Sequence, residues 1–315
     1  MTQHTKKKEQ RDHGGGIDEA IAKFGGTRNE WIDLSTGINP IPYPLPRFEP
    51  YHWAQLPDKA AFAAFETAAR KFWNVPNDAQ IIPTSGASAI IALLPSVVQG
   101  NTVDIPEPTY NEHRAAFAAH GWKIGVKGDV KTIVHPNNPD GRLYALDDLT
   151  AKLCIIDESF CDIYPDNSMV ADAVQNGHIV IKSFGKFWGL AGMRLGAAIV
   201  PNHLANVIRD RVGPWAVSGP ALCTGTQALN DNYWAIETRK RLTTDAQRLD
   251  DIMLQKGVHA IGGTSLFRLY HVESAHAWQE RFAQRHILTR IFPYSETLLR
   301  LGLPAPDQWQ RVIEV

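Results

Sequence analysis

The chain has 315 residues, 44% of them hydrophobic and 21% charged, and its 32 Lys and Arg nearly balance 33 Asp and Glu for a net charge of −1. That length exceeds what one hydrophobic core usually holds, so one large or two medium domains are expected. The near-neutral balance gives no electrostatic case for nucleic acid or an anionic membrane surface, and no apolar stretch approaches the roughly 20 residues that span a bilayer. The polar first dozen residues do not read as a signal peptide, and the one charge run, Lys6 to Lys8, reads as a disordered tail. Three cysteines, Cys154, Cys161 and Cys223, are odd in number and lack metal-type spacing. A reduced, cytoplasmic chain is the simplest expectation. The twelve histidines are scattered without a zincin-like pair, so no metal is assigned.

Residues 1 to about 50 are rich in Gly and Pro and read as an extended arm with one short helix, Ile17 to Phe24. Asp58 then caps a helix to about Trp73, with Phe62, Phe65, Ala69 and Phe72 on one stripe. Apolar runs alternate with helices from there. Gln80 to Pro83 reads as a strand, Ala87 to Val98 as a helix, Thr102 to Ile105 as a strand and Asn111 to His120 as a helix. Further strands are expected at Thr132 to His135, Leu153 to Asp157, Ile179 to Ser183 and Ala197 to Val200. The runs are short and β-branched, as buried parallel strands tend to be. The alternation predicts an α/β fold, a mostly parallel central sheet with helices on both faces. Ligands of such sheets sit at the carboxyl ends of the strands. After about residue 205 the pattern changes to two helices, Gly219 to Asn230 and Trp234 to Gln255. Strands at Thr264 to His271, His286 to Ile291 and Thr297 to Leu301 follow, with a helix at about His276 to Arg285. This predicts an arm over 1–50, a large α/β domain over 51–205 and a smaller α+β domain over 206–315.

Unusual residues fall at the expected strand ends. Ser183-Phe-Gly-Lys186 puts a lysine in a tight turn just after an apolar strand, and Arg194 follows eight residues later among glycines. A lysine that forms a Schiff base needs an open approach and a desolvated pocket that depresses its pKa. A neighbouring arginine offers a fork for phosphate. Pyridoxal phosphate would be held by such a pair, covalently by Lys186 and ionically by Arg194; a surface lysine in a glycine-rich loop has the same local sequence. Ser85, Gly86 and Ala87 lie between a strand and a helix, which suits either a phosphate cradle or an ordinary N-cap. Tyr110 offers a ring that stacks on a flat heterocycle, or merely packs. Asn138, before a proline, projects an amide donor, though Asn-Pro-Asp-Gly is also simply a turn. Asp157 ends an apolar strand, where a carboxylate is expensive unless paired. A protonated pyridine nitrogen pairs it, and so does a helix N-terminus.

In this order, Ser85-Gly-Ala, Tyr110, Asn138-Pro-x-Gly141, Asp157-Glu, Ser183-x-x-Lys186 and Arg194 resemble the fold-type I pyridoxal phosphate enzymes of the class I/II aminotransferase superfamily. Within it, His13-Gly-Gly15, Trp31 to Pro40, Asp157 to Phe160 and Leu299 to Pro304 resemble threonine-phosphate decarboxylases of cobalamin biosynthesis, with histidinol-phosphate aminotransferases as near relatives. The resemblance implies pyridoxal 5'-phosphate as cofactor and Lys186 as its Schiff-base lysine. It implies Asp157 on the pyridine nitrogen, Asn138 on the ring hydroxyl and Tyr110 stacked on the ring. Ser85, Gly86, Ala87, Ser183 and Arg194 would hold the cofactor phosphate. Arg300 would bind the substrate α-carboxylate, Arg290 its phosphate, and Asn39 would line the substrate site. It further implies a small phosphorylated amino acid as substrate and a homodimer.

Departures from the family pattern bear on the reaction. Phe160 stands where many aminotransferases carry tyrosine, which the decarboxylase relatives tolerate. Gly185 replaces a serine often found before the lysine. Leu56-Pro-Asp58 replaces a Tyr-Pro-Asp element whose tyrosine reaches a cofactor phosphate across the dimer, leaving that contact absent or supplied by Tyr51. The resemblance implies decarboxylation of L-threonine O-3-phosphate, with an aminotransferase acting on histidinol phosphate or a related amino acid as the alternative. A non-catalytic member of the fold is disfavoured by Lys186, Asp157 and Arg194 being present together.

Overall fold

Strands that are apolar on both sides need cover on both sides, and the chain supplies it. The computed structural model describes residues 11–315, so the basic run at Lys6 to Lys8 lies outside the described residues. The N-terminal segment carries helix α1 (Ile17–Phe24) and a two-residue strand β1 (Ile32–Asp33), and a short helix α2 (Tyr51–Ala54) follows. Helix α3 (Lys59–Phe72) opens on Asp58, whose carboxylate accepts from the Ala61 amide at 2.8 Å. Then come β2 (Ala79–Thr84), α4 (Ala87–Leu93), β3 (Thr102–Asp104), α5 (Asn111–Ala119), β4 (Lys123–Ile124) and β5 (Val130–Val134). They are followed by β6 (Leu153–Asp157), α6 (Val170–Gln175), β7 (Ile179–Ser183), β8 (Gly196–Pro201), α7 (Asn202–Val212) and α8 (Gly219–Asn230). The last part holds α9 (Asn232–Gln255), β9 (Ala260–Thr264), β10 (Phe267–His271), α10 (Ala275–Ala283), β11 (Ile287–Leu288), β12 (Arg290–Phe292), β13 (Ser295–Gly302) and α11 (Trp309–Ile313).

Seven strands form the central sheet in the order β2-β8-β7-β6-β5-β3-β4. Successive residues of each strand feed opposite cores. Ile156, Val180 and Ile199 pack with α3, α6 and α8 on one face. Ile155, Ile179, Ile181 and Val200 pack with α4, α5 and α7 on the other. A second, four-stranded antiparallel sheet has the order β12-β13-β10-β9, and β1 pairs with β11, tying the N-terminal segment to this C-terminal part.

Several expectations are corrected. Strand β8 runs against both β7 and β2, so the sheet is mixed although mostly parallel. A parallel neighbour needs a crossover connection. Residues 184–195 instead fold straight back, closed by the Phe184 amide donating to the Leu195 carbonyl at 3.1 Å. Helix α7 spans the expected boundary at 205/206 and packs on β2 and β8, while α8 packs on α3 in a core that both sheets share. The helix expected to Val98 stops at Leu93 and tightens into a 3₁₀ turn at Leu94–Ser96, with Pro95 withholding a donor. The strand expected at Thr264 to His271 is a hairpin, β9 and β10, and that at His286 to Ile291 is divided between β11 and β12, which join different sheets.

Candidate active site

The fold-back between β7 and β8 delivers the lysine. Phe184, Phe187 and Trp188 of this loop are fully buried, Trp188 against Tyr43 and Trp234, so the loop is anchored on its aromatic side. Lys186 turns the other way. Its Nζ donates to the Thr36 carbonyl at 3.1 Å and lies 5.3 Å from the centre of the Phe160 ring. Burial, and then the nearby Arg300 charge, lower its pKa from 10.5 to about 8. That is the state a Schiff-base lysine requires.

Lys186 stands where two cavities meet. The smaller, about 140 Å³, is walled by Tyr110, Asn138, Asp157, Ser183, Lys186 and Arg194 among others. At one end Asp157, ending β6, is almost wholly buried. Its Oδ2 lies 2.9 Å from His113 Nε2 on α5, and its Oδ1 accepts from the Ser159 amide at 2.9 Å. Burial pushes the carboxyl up, but the His113 and Ser159 bonds more than offset it and hold it below the ordinary carboxylate range. At the other end Gly86 precedes α4 with φ +81°. A Cβ there would lie 2.5 Å from Arg194 Nη2, so the arginine closes directly over the glycine turn. Arg194 is itself left-handed (φ 55°) and donates to the Ala191 carbonyl at 3.0 Å. Tyr110 lies edge-on to His113, and burial followed by the Asp157 charge raises its hydroxyl to about 12, so it stays protonated.

This donor set fits pyridoxal phosphate. A depressed lysine stands at the wall, an ionised carboxylate at one end suits a ring nitrogen, and a glycine turn under an arginine at the other suits a phosphate.

The larger cavity, about 300 Å³, shares Tyr110, Asn138 and Lys186 with the first and adds Arg290, Tyr294 and Arg300. Arg290 on β12 and Arg300 on β13 are direct partners in the antiparallel register. Like charges placed opposite one another repel. Arg300 is buried, with donors spent on Asn138 Oδ1 and the Ser35 carbonyl while its Nε has no partner among the described residues. Burial, and then the Arg290 charge, lower its pKa to about 9. Both guanidinium groups therefore sit where anions relieve them.

Not every expected residue reaches these walls. Asn39 is buried with its side chain already engaged: Nδ2 donates to the Phe187 carbonyl at 2.8 Å, and Oδ1 accepts from Arg241 at 2.6 Å. Its own amide donates to the Lys186 carbonyl at 3.0 Å. It clamps the lysine loop rather than lining a cavity. The Ser85 hydroxyl turns away to the Ala216 carbonyl, while Ala87 lines the smaller cavity and Gly86 abuts Arg194. Asn138 faces both cavities, but its Oδ1 holds Arg300. Sequence reasoning missed His113, Tyr294 and Asp12; only the place of His113 in the first turn of the helix after Tyr110 could have signalled it.

A family model described as aminotransferase class I and II matches residues 50–127 and 125–314. A threonine-phosphate decarboxylase of Sinorhizobium sp is 38% identical over 94% of this chain and 93% of its own length. Its counterpart in Pseudomonas aeruginosa is 34% identical over 96% of each. Among solved structures, a histidinol-phosphate aminotransferase from Sinorhizobium meliloti, in complex with pyridoxal-5'-phosphate, superposes with a TM-score of 0.79 at 14% identity. It covers 96% of this chain and 93% of its own.

Proposed function

Since the chain belongs to the class I and II aminotransferase family, we propose that it is a pyridoxal 5'-phosphate-dependent carboxy-lyase converting L-threonine O-3-phosphate to (R)-1-amino-2-propanol O-2-phosphate and CO2, a step of cobalamin biosynthesis. The observation that carries the substrate is the register pairing of Arg290 with Arg300 on one cavity wall. Two adjacent cations call for a substrate with two anionic groups, and an amino acid phosphate has a carboxylate and a phosphate.

Bound in the smaller cavity, the cofactor supplies an electron sink for the bond that breaks at the substrate α-carbon. Lys186 would join it through its amine, and Asp157, kept ionised by His113 and Ser159, would hold a proton at its ring nitrogen. Asn138 would face its ring hydroxyl and Tyr110 its ring. Gly86, Ala87, Ser183 and Arg194 would receive its phosphate, the Ser85 hydroxyl being held by the Ala216 carbonyl. Arg300 would grip the substrate carboxylate and Arg290 the phosphate, fixing which bond at the α-carbon is presented for cleavage. The departing CO2 leaves its bonding electrons at the α-carbon. Lys186, standing where the two cavities meet, would deliver a proton to that carbon.

We also propose a homodimer working in the cytoplasm. Tyr51, Trp53, Leu56 and Trp215 are exposed, with Trp53 at 70%, beside the loop whose Ala216 carbonyl takes the Ser85 hydroxyl. Exposed large aromatic side chains of this kind favour cover by a second copy. Among the described residues, no helix is long and apolar enough to cross a membrane.

The test is to incubate cofactor-loaded protein with L-threonine O-3-phosphate and follow CO2 and phosphorylated product. CO2 with aminopropanol phosphate is expected, and Lys186→Ala should abolish it. Amino-group transfer without CO2 would overturn the decarboxylase in favour of an aminotransferase.

A further inference from the structure

Arg290 already has an anion. Its Nη1 lies 2.6 Å from Asp12 Oδ1, and its Nη2 donates to the Asp12 carbonyl at 3.0 Å. The same carbonyl accepts from Asn111 Nδ2 at 2.9 Å. On either side, Arg11 pairs with Glu112, and His13 Nε2 lies 2.9 Å from Glu112 Oε1. Residues 11–13 thus form a strap from α5, beside the large sheet, to β12 of the small one. Asp12 and His13 line both the substrate cavity and an adjoining cavity of about 480 Å³.

We propose that Asp12 is an internal competitor for the substrate's anionic tail, occupying the Arg290 fork until that tail displaces it. This rests on Arg290 being the phosphate-binding residue of the proposed function. The strap brings its carboxylate to the cation that faces Arg300 across the register, the position where an anion relieves the most repulsion. The seat is also exchangeable. Asp12 has 37% of its side chain exposed and Arg290 12%, so the pair is partly in water and weak enough to open.

The consequence is a threshold. Every incoming anion must displace the same carboxylate, so apparent affinity falls by one common factor. A monoanion of Asp12's own charge and donor pattern gains little by the exchange. A phosphate near −2 at neutral pH, with three acceptor oxygens, gains charge and hydrogen bonds at once. Asp12 therefore keeps carboxylate-bearing amino acids from filling the cavity at ordinary concentrations, and leaves the phosphorylated one able to enter.

Calorimetric titration of cofactor-loaded protein with inorganic phosphate, at fixed ionic strength, tests this. The cofactor then fills its own phosphate seat, leaving the Arg290 fork to be read. Asp12→Asn and Asp12→Ala should each bind phosphate about two- to fivefold more tightly than the parent, the range of a partly exposed ion pair. Arg290→Gln should weaken phosphate binding, and Asp12→Ala should then bring no gain in that background. Unchanged or weaker phosphate binding in both Asp12 variants would overturn the inference. Threonine phosphate turnover is measured separately: absence of CO2 with tightened phosphate binding would sink the proposed reaction alone, whereas CO2 without tightening would sink the Asp12 proposal alone.

Discussion

Replacing the Schiff-base lysine by a neutral residue of similar length should make the cofactor-free protein more stable. In the folded chain the Lys186 pKa falls from 10.5 to about 8, first through burial and then through Arg300. Below pH 8 the amine is charged in both the folded and the unfolded chain, so the folded state bears the whole penalty of holding that charge. As pH rises from 8 to 10.5 the folded amine is neutral while the unfolded one still binds a proton, so the penalty shrinks and then vanishes. Its full size is about 3 kcal/mol from the displacement itself. The cavity beside the amine admits water, so this is an upper bound. Loss of the bond to the Thr36 carbonyl returns about 1 kcal/mol. A Lys186→Met apoprotein should then gain about 2 kcal/mol at pH 7. Over 315 residues this is a rise in Tm of about 3 °C. Thermal unfolding of both apoproteins between pH 7 and pH 10.5 measures it, and the gap should close towards the alkaline end. Equal stability at pH 7, or a gap that does not depend on pH, would refute the claim that Lys186 is a destabilised charge.

His113→Phe removes the donor 2.9 Å from Asp157, and the carboxyl should move up from its depressed range. A bond to a charged group is worth about 1.5–3 kcal/mol, so cofactor affinity, read by absorbance titration, should fall roughly ten- to hundredfold. Gly86→Ala must hold φ +81° and push a methyl into Arg194; about 1–2 kcal/mol of backbone strain plus the displaced guanidinium should weaken cofactor binding at least tenfold with unchanged circular dichroism. Glu158→Gln leaves the buried Lys182 charge without its 2.6 Å partner and should destabilise the fold by about 3–5 kcal/mol, seen as a lower Tm, with Lys182→Met in the same chain restoring much of the loss.

Residue patterns were legible where burial is two-sided and punctuation is strong. Strands β6 and β7 and helices α1 and α8 have the bounds expected of them, because β-branched runs and Gly or Pro residues mark their ends. Strand direction was not legible: β8 is as apolar as the parallel strands β5, β6 and β7, and only the fold-back at 184–195 reverses it. Helix α7 escaped notice because Ala205 and Ile208 are its only buried residues, too thin a stripe among Arg209, Asp210 and Arg211. Of the residues carried by motifs at strand ends, Tyr110, Asn138, Asp157, Ser183, Lys186 and Arg194 line one cavity. His113 lies within a helix with no motif of its own, and Asp12 meets Arg290 across 278 positions. Asn39 shows the converse. Its type and place in the arm suit a ligand contact, but the same side-chain amide equally suits the Phe187 carbonyl and an arginine, and packing decides between them.

The contrast between Lys182 and Lys186 explains how the site tolerates so much buried charge. They lie four residues apart, Lys182 in β7 and Lys186 in the loop just beyond it. Burial alone would depress both. Lys182 faces the core beneath the sheet, where Glu158 Oε2 at 2.6 Å and Asp162 Oδ1 at 3.4 Å hold it charged and above its ordinary pKa. Asp162 also accepts from Trp73 Nε1 at 3.0 Å and Trp188 Nε1 at 2.9 Å, so this ionic cluster grips the aromatic side of the lysine loop. Lys186 faces the cavity, with Arg300 near and its donor spent on a neutral carbonyl. Neighbouring carboxylates split the same way. Glu158 serves the cluster, while Asp157, one residue earlier and on the opposite face, serves the cavity. Alternation at the end of β6 turns Asp157 and Glu158 to opposite faces, and the fold-back after β7 turns Lys186 away from the face of Lys182, so a satisfied charge network that fixes the loop is separated from one left for ligands to complete. Strain at Lys186 persists because the cluster on the other face holds the loop that carries it.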